Sequence, residues 1–561
     1  MSQLHFDQIT APAPDFPQYA KQHAECEAAL EGAATPEAQI EAVGTWDALR
    51  RTRETRDALV ELRFNQDTRN EQYKRDRDLA DELRPKFTEL DVRMKRKLVE
   101  SPHRAEFEAH FGPQALALWE AEITTYDPVI EHDMVQEAKL GAEYTELLAA
   151  AQFEFEGDSY NLSGLGKFRE DPRRDVRRTT ETMRWQWFAD NRDMLDRVFD
   201  QQVRLRHAMA GKLGFDDYIG LGYKKMCRVD YDRDDVDNFR AAVREDVVPL
   251  AVELRKAQAA ALGVDRLMFW DEFLFDPQGN PAPLGDHDWM LARAQEMFDA
   301  MGGGLGDFFR QMNEGGFLDL KNRDGKAGGG FCTSFPSYGF PYIFANFNGT
   351  KGDVEVFTHE IGHAFQCYES RGQQLFEYLW PTYESCEIHS MGLEFLTWPQ
   401  MEKFFGDAAE RFRRIHLTQS LLFLPYGVAV DHFQHLVYAS PSASPAQRHA
   451  MWQEMERTYL PWRDYGGIPH ACDGGIWQLQ RHIYLSPFYY IDYTLALTCA
   501  LQFWVRSQQD ANATMRDYVA LCRRGGEAPF QELAKSAGLT SPFEKGCLRQ
   551  VVSQARQVLQ L

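Results

Sequence analysis

The stretch "DVEVFTHEIGHAFQC" (353–367) places His359, Glu360 and His363 in the pattern H-E-x-x-H. On a helix, His359 and His363 stand at i and i+4, one turn apart on one face. Two imidazole nitrogens at that spacing can reach one Zn²⁺ at about 2.0–2.1 Å. Glu360 follows the first ligand and can reach an activated water instead of the metal. Its task would be to take the water's proton and pass it to a leaving amine. Asp353 is expected to cap this helix, with Glu355 in the first turn as the helix dipole favours. Gly362 costs a helix about 1 kcal/mol relative to Ala, so a close approach of another backbone is expected there. The plain alternative is a pair of surface histidines with no metal. With 16 histidines in 561 residues, a chance match is on the order of a few per cent.

A catalytic zinc needs a third protein ligand and an open position. The metzincin pattern would require glycine at position 366 and histidine at 369. The residues there are Gln366 and Glu369, so that class is excluded. Farther on, "PTYESCEIHSMGLEFL" (381–396) offers Glu384, Glu387 and Glu394 on a predicted helix. Positions 387 and 394 share a face, and 384 lies one turn before 387. One glutamate could bind the metal while another supports a ligand histidine from behind. The interleaved Ile388, Met391, Leu393 and Phe395 point to partial burial rather than a plain surface. Spacing leaves the choice among the three open.

The elements that must position these groups are mostly helical. Residues 17–150 read as long amphipathic helices, dense in Arg, Glu, Asp and Leu. "FEFEGDSYNLSGLGKF" (153–168) breaks that pattern and reads as a connector. Helices resume at 173–215, 233–262 and 288–314, and after the motif at 382–404, 408–440, 445–457, 490–510, 513–522, 527–537 and 543–560. The region 325–353 differs, being rich in Gly and aromatics with short β-favouring runs. Pro336 and Pro341 cannot donate to a ladder, so its strands are expected at a sheet edge. The expected division is a helical region over 1–155 and a catalytic region over 156–561, with a small sheet at about 328–349.

Composition narrows the class. A length of 561 residues exceeds one ordinary compact core. Hydrophobic content of 44% and charged content of 26% are ordinary for a globular protein. The net charge of −23 disfavours nucleic acid, whose phosphates need a basic surface. The N-terminus has no secretory pattern, and no apolar run approaches the roughly 18–20 residues a spanning helix needs. Nine scattered cysteines fit reduced thiols and a cytoplasmic location better than a disulfide framework. Cys332, Cys367, Cys386 and Cys499, which flank the motifs, are expected as small buried hydrophobes.

These motifs, with "RHIYLSPFYYIDYTLALTCALQFW" (481–504), resemble the zinc metallopeptidases of the thimet oligopeptidase and oligoendopeptidase F group. The likeness is closest to the oligoendopeptidase F branch. Weaker matches lie in "YNLSGLGKF" and "GLTSPFEKGCLRQV", so it spans roughly 155–560. The resemblance implies a mainly α, two-lobed zincin of gluzincin type, with a deep substrate channel and a small sheet beside the motif helix. It implies a single zinc ion per chain held by His359, His363 and Glu387, with Glu360 as general base and acid. It places Glu394 behind a ligand histidine. It assigns His482, Tyr489 and Tyr493 to the region that holds substrate and stabilises the oxyanion. It further implies that "YGFPYIFANFNG" (338–349), including Tyr338, Gly339, Tyr342, Phe344, Ala345 and Asn346, lines the cleft and pairs with an extended peptide. The alternative there is a structural hairpin.

The expected function is hydrolysis of internal bonds of short unstructured peptides, with neither nucleic acid nor membrane as partner. A zinc carboxypeptidase or dipeptidyl carboxypeptidase shares the motif but needs a cation near the cleft for a free terminus. Arg481 is a candidate. A non-catalytic peptide-binding protein predicts a damaged constellation, and here the set is complete.

Overall fold

The computed structural model describes residues 4–561 apart from Pro14 and Asp324. It opens with long helices α1 (Phe16–Gly32), α2 (Pro36–Gln66) and α3 (Glu71–Val99). Asp15, Thr35 and Asn70 cap them, each side chain accepting N–H groups of the first turn. On α3 the buried residues Leu83, Phe87, Leu90, Met94 and Leu98 recur every three or four positions. Met94 and Leu98 join Val43, Trp46, Phe107 and Trp119 in a separate small core. Leu375 and Tyr378, from far along the chain, complete that core. Beside them Arg50 donates to Glu377 at 2.5 and 2.8 Å, and Trp119 Nε1 donates to Glu377 Oε1 at 2.7 Å.

The expected connector contains a hairpin. Strands β1 (Phe153–Phe155) and β2 (Asp158–Tyr160) pair antiparallel. Their two-residue turn, Glu156–Gly157, has φ of 49° and 89°, the left-handed pair that a tight hairpin twist requires.

The sheet beside the motif has three strands: β3 (Leu318–Lys321), β4 (Phe331–Phe335) and β5 (Phe340–Phe347). The order is β3-β5-β4, with β3 parallel and β4 antiparallel to β5. Proline thus does not mark β5 as an edge. Pro341 lies opposite Ser334 of β4, whereas the pairing with β3 begins only at Ile343. Its missing N–H therefore falls where one side of β5 has no neighbour.

The sheet packs on α4 (Lys351–Glu369), the motif helix. Thr350 occupies the N-cap of α4, so Asp353 is not the cap. Asp353 sits in the first turn and its carboxylate accepts the Asn348 and Gly349 N–H groups at 2.9 and 2.7 Å. Next come α5 (Tyr383–Leu396), α6 (Ala409–Ala439) and α7 (Tyr490–Ser507). Helix α5 packs against both α4 and α7. The α4–α5 crossing is backbone on backbone: a Cβ built on Gly362 would lie 2.5 Å from the His389 carbonyl oxygen. That is the close approach expected of Gly362.

The fold is mainly α. Among the described residues no helix is long and apolar enough to cross a membrane.

Candidate metal centre and active site

Helix α4 presents His359 and His363 on one face, their rings 5.0 Å apart. Helix α5 brings Glu387 across from them. Glu387 Oε2 lies 3.3 Å from His359 Nε2 and 3.4 Å from His363 Nε2. Among the described residues these three form the group whose donor atoms all lie within 4.8 Å of one another. Two ligand atoms each about 2.0–2.1 Å from a tetrahedral centre stand about 3.3 Å apart, so the two measured separations fit a metal. Glu384 is not part of the group. It is buried, and its Oε1 accepts from Thr382 at 2.9 Å.

The surroundings orient the donors. Glu394 Oε1 lies 2.7 Å from His359 Nδ1, and its other oxygen lies 2.8 Å from His416 Nε2. A proton held on Nδ1 by Glu394 leaves His359 Nε2 as the lone-pair donor. Burial works against the Glu394 carboxylate, but the hydrogen bonds from His359 and His416 outweigh it and hold its pKa down to about 2. Trp398 Nε1 in turn donates to His416 Nδ1 at 3.1 Å. Glu387 is held as well: Ser390 donates to its Oε2 at 2.8 Å, and Tyr489 donates to its Oε1 at 2.8 Å.

Glu360 is buried on α4, and burial pushes its pKa up. Its carboxylate makes no side-chain hydrogen bond among the described residues. Gly330, just before β4, adjoins it; a Cβ there would lie 3.6 Å from Glu360 Oε1. His482 stands with Tyr493, Nε2 to OH 3.5 Å. Gln480 Nε2 donates to His482 Nδ1 at 2.9 Å, and Tyr426 OH donates to Gln480 Oε1 at 3.0 Å, fixing the amide's orientation. The ring proton of His482 is thereby placed on Nε2. Burial lowers the His482 pKa to about 4, so this ring is neutral at pH 7. Burial likewise raises the Tyr489 and Tyr493 hydroxyls above the ordinary value, with Glu387 adding to both.

The residues expected to line the cleft lie on β5 and the turn before it. Tyr342 and Phe344 pair with β4, whose register ends at Phe344, so Ala345 and Asn346 have no strand partner in β4. Tyr342 OH accepts from Gln66 at 2.9 Å, and the Asn346 amide donates to the Ala327 and Gly329 carbonyls at 2.8 Å. Tyr338 bonds Thr10, and Gly339 forms the turn with φ of 60°. Among the described residues, the strand beside Glu360 with no further strand on its outer side is β4. Sequence reasoning passed over His416, Ser390 and Gln480. Ser390 lies one turn after Glu387 and was open to a spacing argument, whereas the other two carry no local signal.

Comparison with known proteins agrees in length and fold. Residues 6–126 match the family description "Peptidase M3 N-terminal domain", and residues 296–553 match "Peptidase family M3". A solved structure assigned as an oligoendopeptidase F shares 45% identity at a TM-score of 0.96, covering 99% of each chain. Pz peptidase A with an inhibitor shares 43% at a TM-score of 0.96, again over 99% of each chain. A chain from Bacillus anthracis assigned as oligoendopeptidase F shares 39% at a TM-score of 0.91, over 99% of this chain and 98% of that one. A search of curated protein sequences finds no match.

Proposed function

The chain belongs to peptidase family M3 and is a metallopeptidase; on that premise we propose that it is a zinc-dependent oligoendopeptidase acting on internal bonds of short peptides. The observation that carries the reading is the donor set of His359, His363 and Glu387, with a buried carboxylate, Glu360, on the same helix. Two imidazoles and one carboxylate with an open position form a donor set that suits zinc. Zinc bound there would polarise the scissile carbonyl and acidify the attacking water.

The chain's own residues supply the rest. Glu360 takes a proton from the water onto its carboxylate and returns it to the leaving amine nitrogen. Burial raises its pKa, which makes the carboxylate a better acceptor of that proton. Tyr493 OH and His482 Nε2–H are donors for the negative charge that develops on the former carbonyl oxygen. Tyr489 and Ser390 hold Glu387 in place. The free side of β4 is the backbone edge on which an extended peptide can add as a strand. Glu394 and His416 keep His359 in its ligand tautomer.

Glu360→Gln tests the reading. The variant is expected to retain the zinc content of the wild type and to lose cleavage of an internally quenched peptide. Full cleavage by this variant rules the mechanism out.

A further inference from the structure

A pocket of about 360 Å³ lies beside His482. Gln480, whose amide meets His482 Nδ1, lines it, and so does Tyr490, whose ring is 5.3 Å from that of His482. On another wall Gln419 accepts from Lys351 Nζ, at the head of the motif helix, at 2.7 Å. The pocket therefore adjoins the site at His482, and Gln419 ties its far wall to the head of the motif helix. Phe273, Phe423 and Tyr426 give it aromatic walls.

Its charges do not balance. Arg463 donates to Glu272 at 3.2 and 2.8 Å, and Arg255 donates to the same carboxylate at 3.3 Å. Arg169 and Arg184 likewise share one carboxylate, Glu181, at 2.7 and 3.2 Å. Glu456 lies 3.7 Å from Arg463, but it accepts the Tyr465 hydroxyl, and burial pushes its pKa up. The pocket lining itself thus carries three guanidinium groups, of Arg169, Arg255 and Arg463, and one carboxylate, Glu272. The Arg255 and Arg463 side chains are each only 9% exposed. Among the described residues Nη1 of Arg463 and Nη1 of Arg169 make no hydrogen bond. Burial pushes the Arg255 pKa down to about 10, whereas Glu272, Tyr465 and Glu456 outweigh burial at Arg463 and hold its pKa above the ordinary value. In a chain of net charge −23, this local excess of cations is built against the overall balance. A buried cation without full compensation is costly, and an arriving anion relieves that cost.

We propose that this pocket is a specificity subsite that binds a carboxylate of the peptide substrate, with the aromatic walls packing the aliphatic part of the same residue. The carboxylate is either an Asp or Glu side chain or the peptide's own C-terminus. The inference rests on the peptidase reading above and names part of its substrate preference.

The test uses length-matched quenched peptides cleaved by the zinc-loaded protein. The reference carries Gln at every position and a C-terminal amide. One set replaces each Gln in turn by Glu, and one peptide keeps a free C-terminus. The expected result is one carboxylate position that raises kcat/KM by about tenfold or more, chiefly through KM, as a charge-assisted hydrogen bond supplies. A Glu position identifies a side chain; the free C-terminus identifies terminal recognition. The carboxylate-to-amide ratio of kcat/KM should collapse toward unity in Arg169→Gln and in Arg463→Gln. A ratio is readable whatever the absolute rate, and in the second variant Glu272 keeps Arg255 as its partner. Equal kcat/KM for every carboxylate and amide partner in the wild type overturns the proposal. So does a ratio that survives in both variants. Absence of any cleavage by the wild type would instead overturn the peptidase reading.

Discussion

The Tyr489 hydroxyl, at the N-cap of α7, donates to Glu387 Oε1 at 2.8 Å, whereas the Tyr493 hydroxyl, in the first turn of α7, faces His482 Nε2 at 3.5 Å. Neighbouring tyrosines are thus bound to different tasks. Tyr489 is committed to the carboxylate placed to hold metal. Tyr493 meets a neutral donor and keeps its own proton available. We expect Tyr493→Phe to lower kcat by about 10²–10³ with metal content unchanged, the usual effect of losing an oxyanion donor. Tyr489→Phe should weaken metal retention first. Steady-state kinetics beside metal analysis separates the two, and identical profiles would contradict the assignment.

Gly362 should tolerate no side chain. Alanine is the better helix former by about 1 kcal/mol. Its Cβ would nevertheless meet the His389 carbonyl oxygen at 2.5 Å and Ser390 Cα at 2.7 Å. Both are backbone atoms of the helix that carries Glu387, so relief means moving α5 off α4. Gly362→Ala is expected to lower the melting temperature and the zinc bound after gentle purification. A variant that keeps both at the wild-type level argues against this crossing.

Glu394 and His416 should act on metal affinity more than on chemistry. Loss of a partner that orients a ligand histidine typically costs about 10–100-fold in affinity. We expect Glu394→Gln to show a loss of that size in competition with a chelator, and His416→Gln a smaller one, because the Glu394 contact to His359 survives. With metal saturating, much of the activity should return. Unchanged affinity in both variants would show that His359 needs no such support.

Acid should loosen the join between the N-terminal helices and the rest of the chain. Burial works against the Glu377 carboxylate, but Arg50, Lys95 and Trp119 outweigh it and hold its pKa down from 4.5 to about 2. A depressed carboxylate stabilises the fold above its unfolded value and loses that contribution as protons bind. The window therefore opens near pH 4.5 and closes near pH 2, with on the order of 3 kcal/mol at stake. Melting curves of the wild type should fall more steeply across this window than those of Glu377→Gln. Parallel curves would remove Glu377 from the account.

Much of this was legible in one dimension. The i, i+4 histidines, the glutamate between them and the helical character of most segments follow from local periodicity. Gly362 was readable because only a tertiary contact explains glycine there. Choosing Glu387 over Glu384 was not, since both sit on one predicted helix and the choice depends on how α5 faces α4. His416 is 22 residues beyond Glu394 on another helix, and nothing near it marks its partner. The sheet was half readable. The β4–β5 hairpin is local, but β3 is four residues long and pairs in parallel across some 25 positions. That pairing turned β5 from an edge into a centre and moved the available edge to β4. The β1–β2 hairpin was hidden because Glu156 takes a left-handed conformation that sequence assigns to glycine first.

The segment that holds Glu377 and Tyr378 lies between α4 and α5, in the span joining His363 to Glu387. The N-terminal helices grip that span through Arg50, Trp119 and the Tyr378 hydroxyl, which donates to Phe111 O and accepts from Ala115 N. The two regions that match family descriptions are therefore not interchangeable cassettes. The first serves as a brace on the tether between donors of the second. Exchange of the N-terminal block between relatives is constrained by the few residues after the motif helix, and a chimera that ignores them inherits a slack tether along with its new helices.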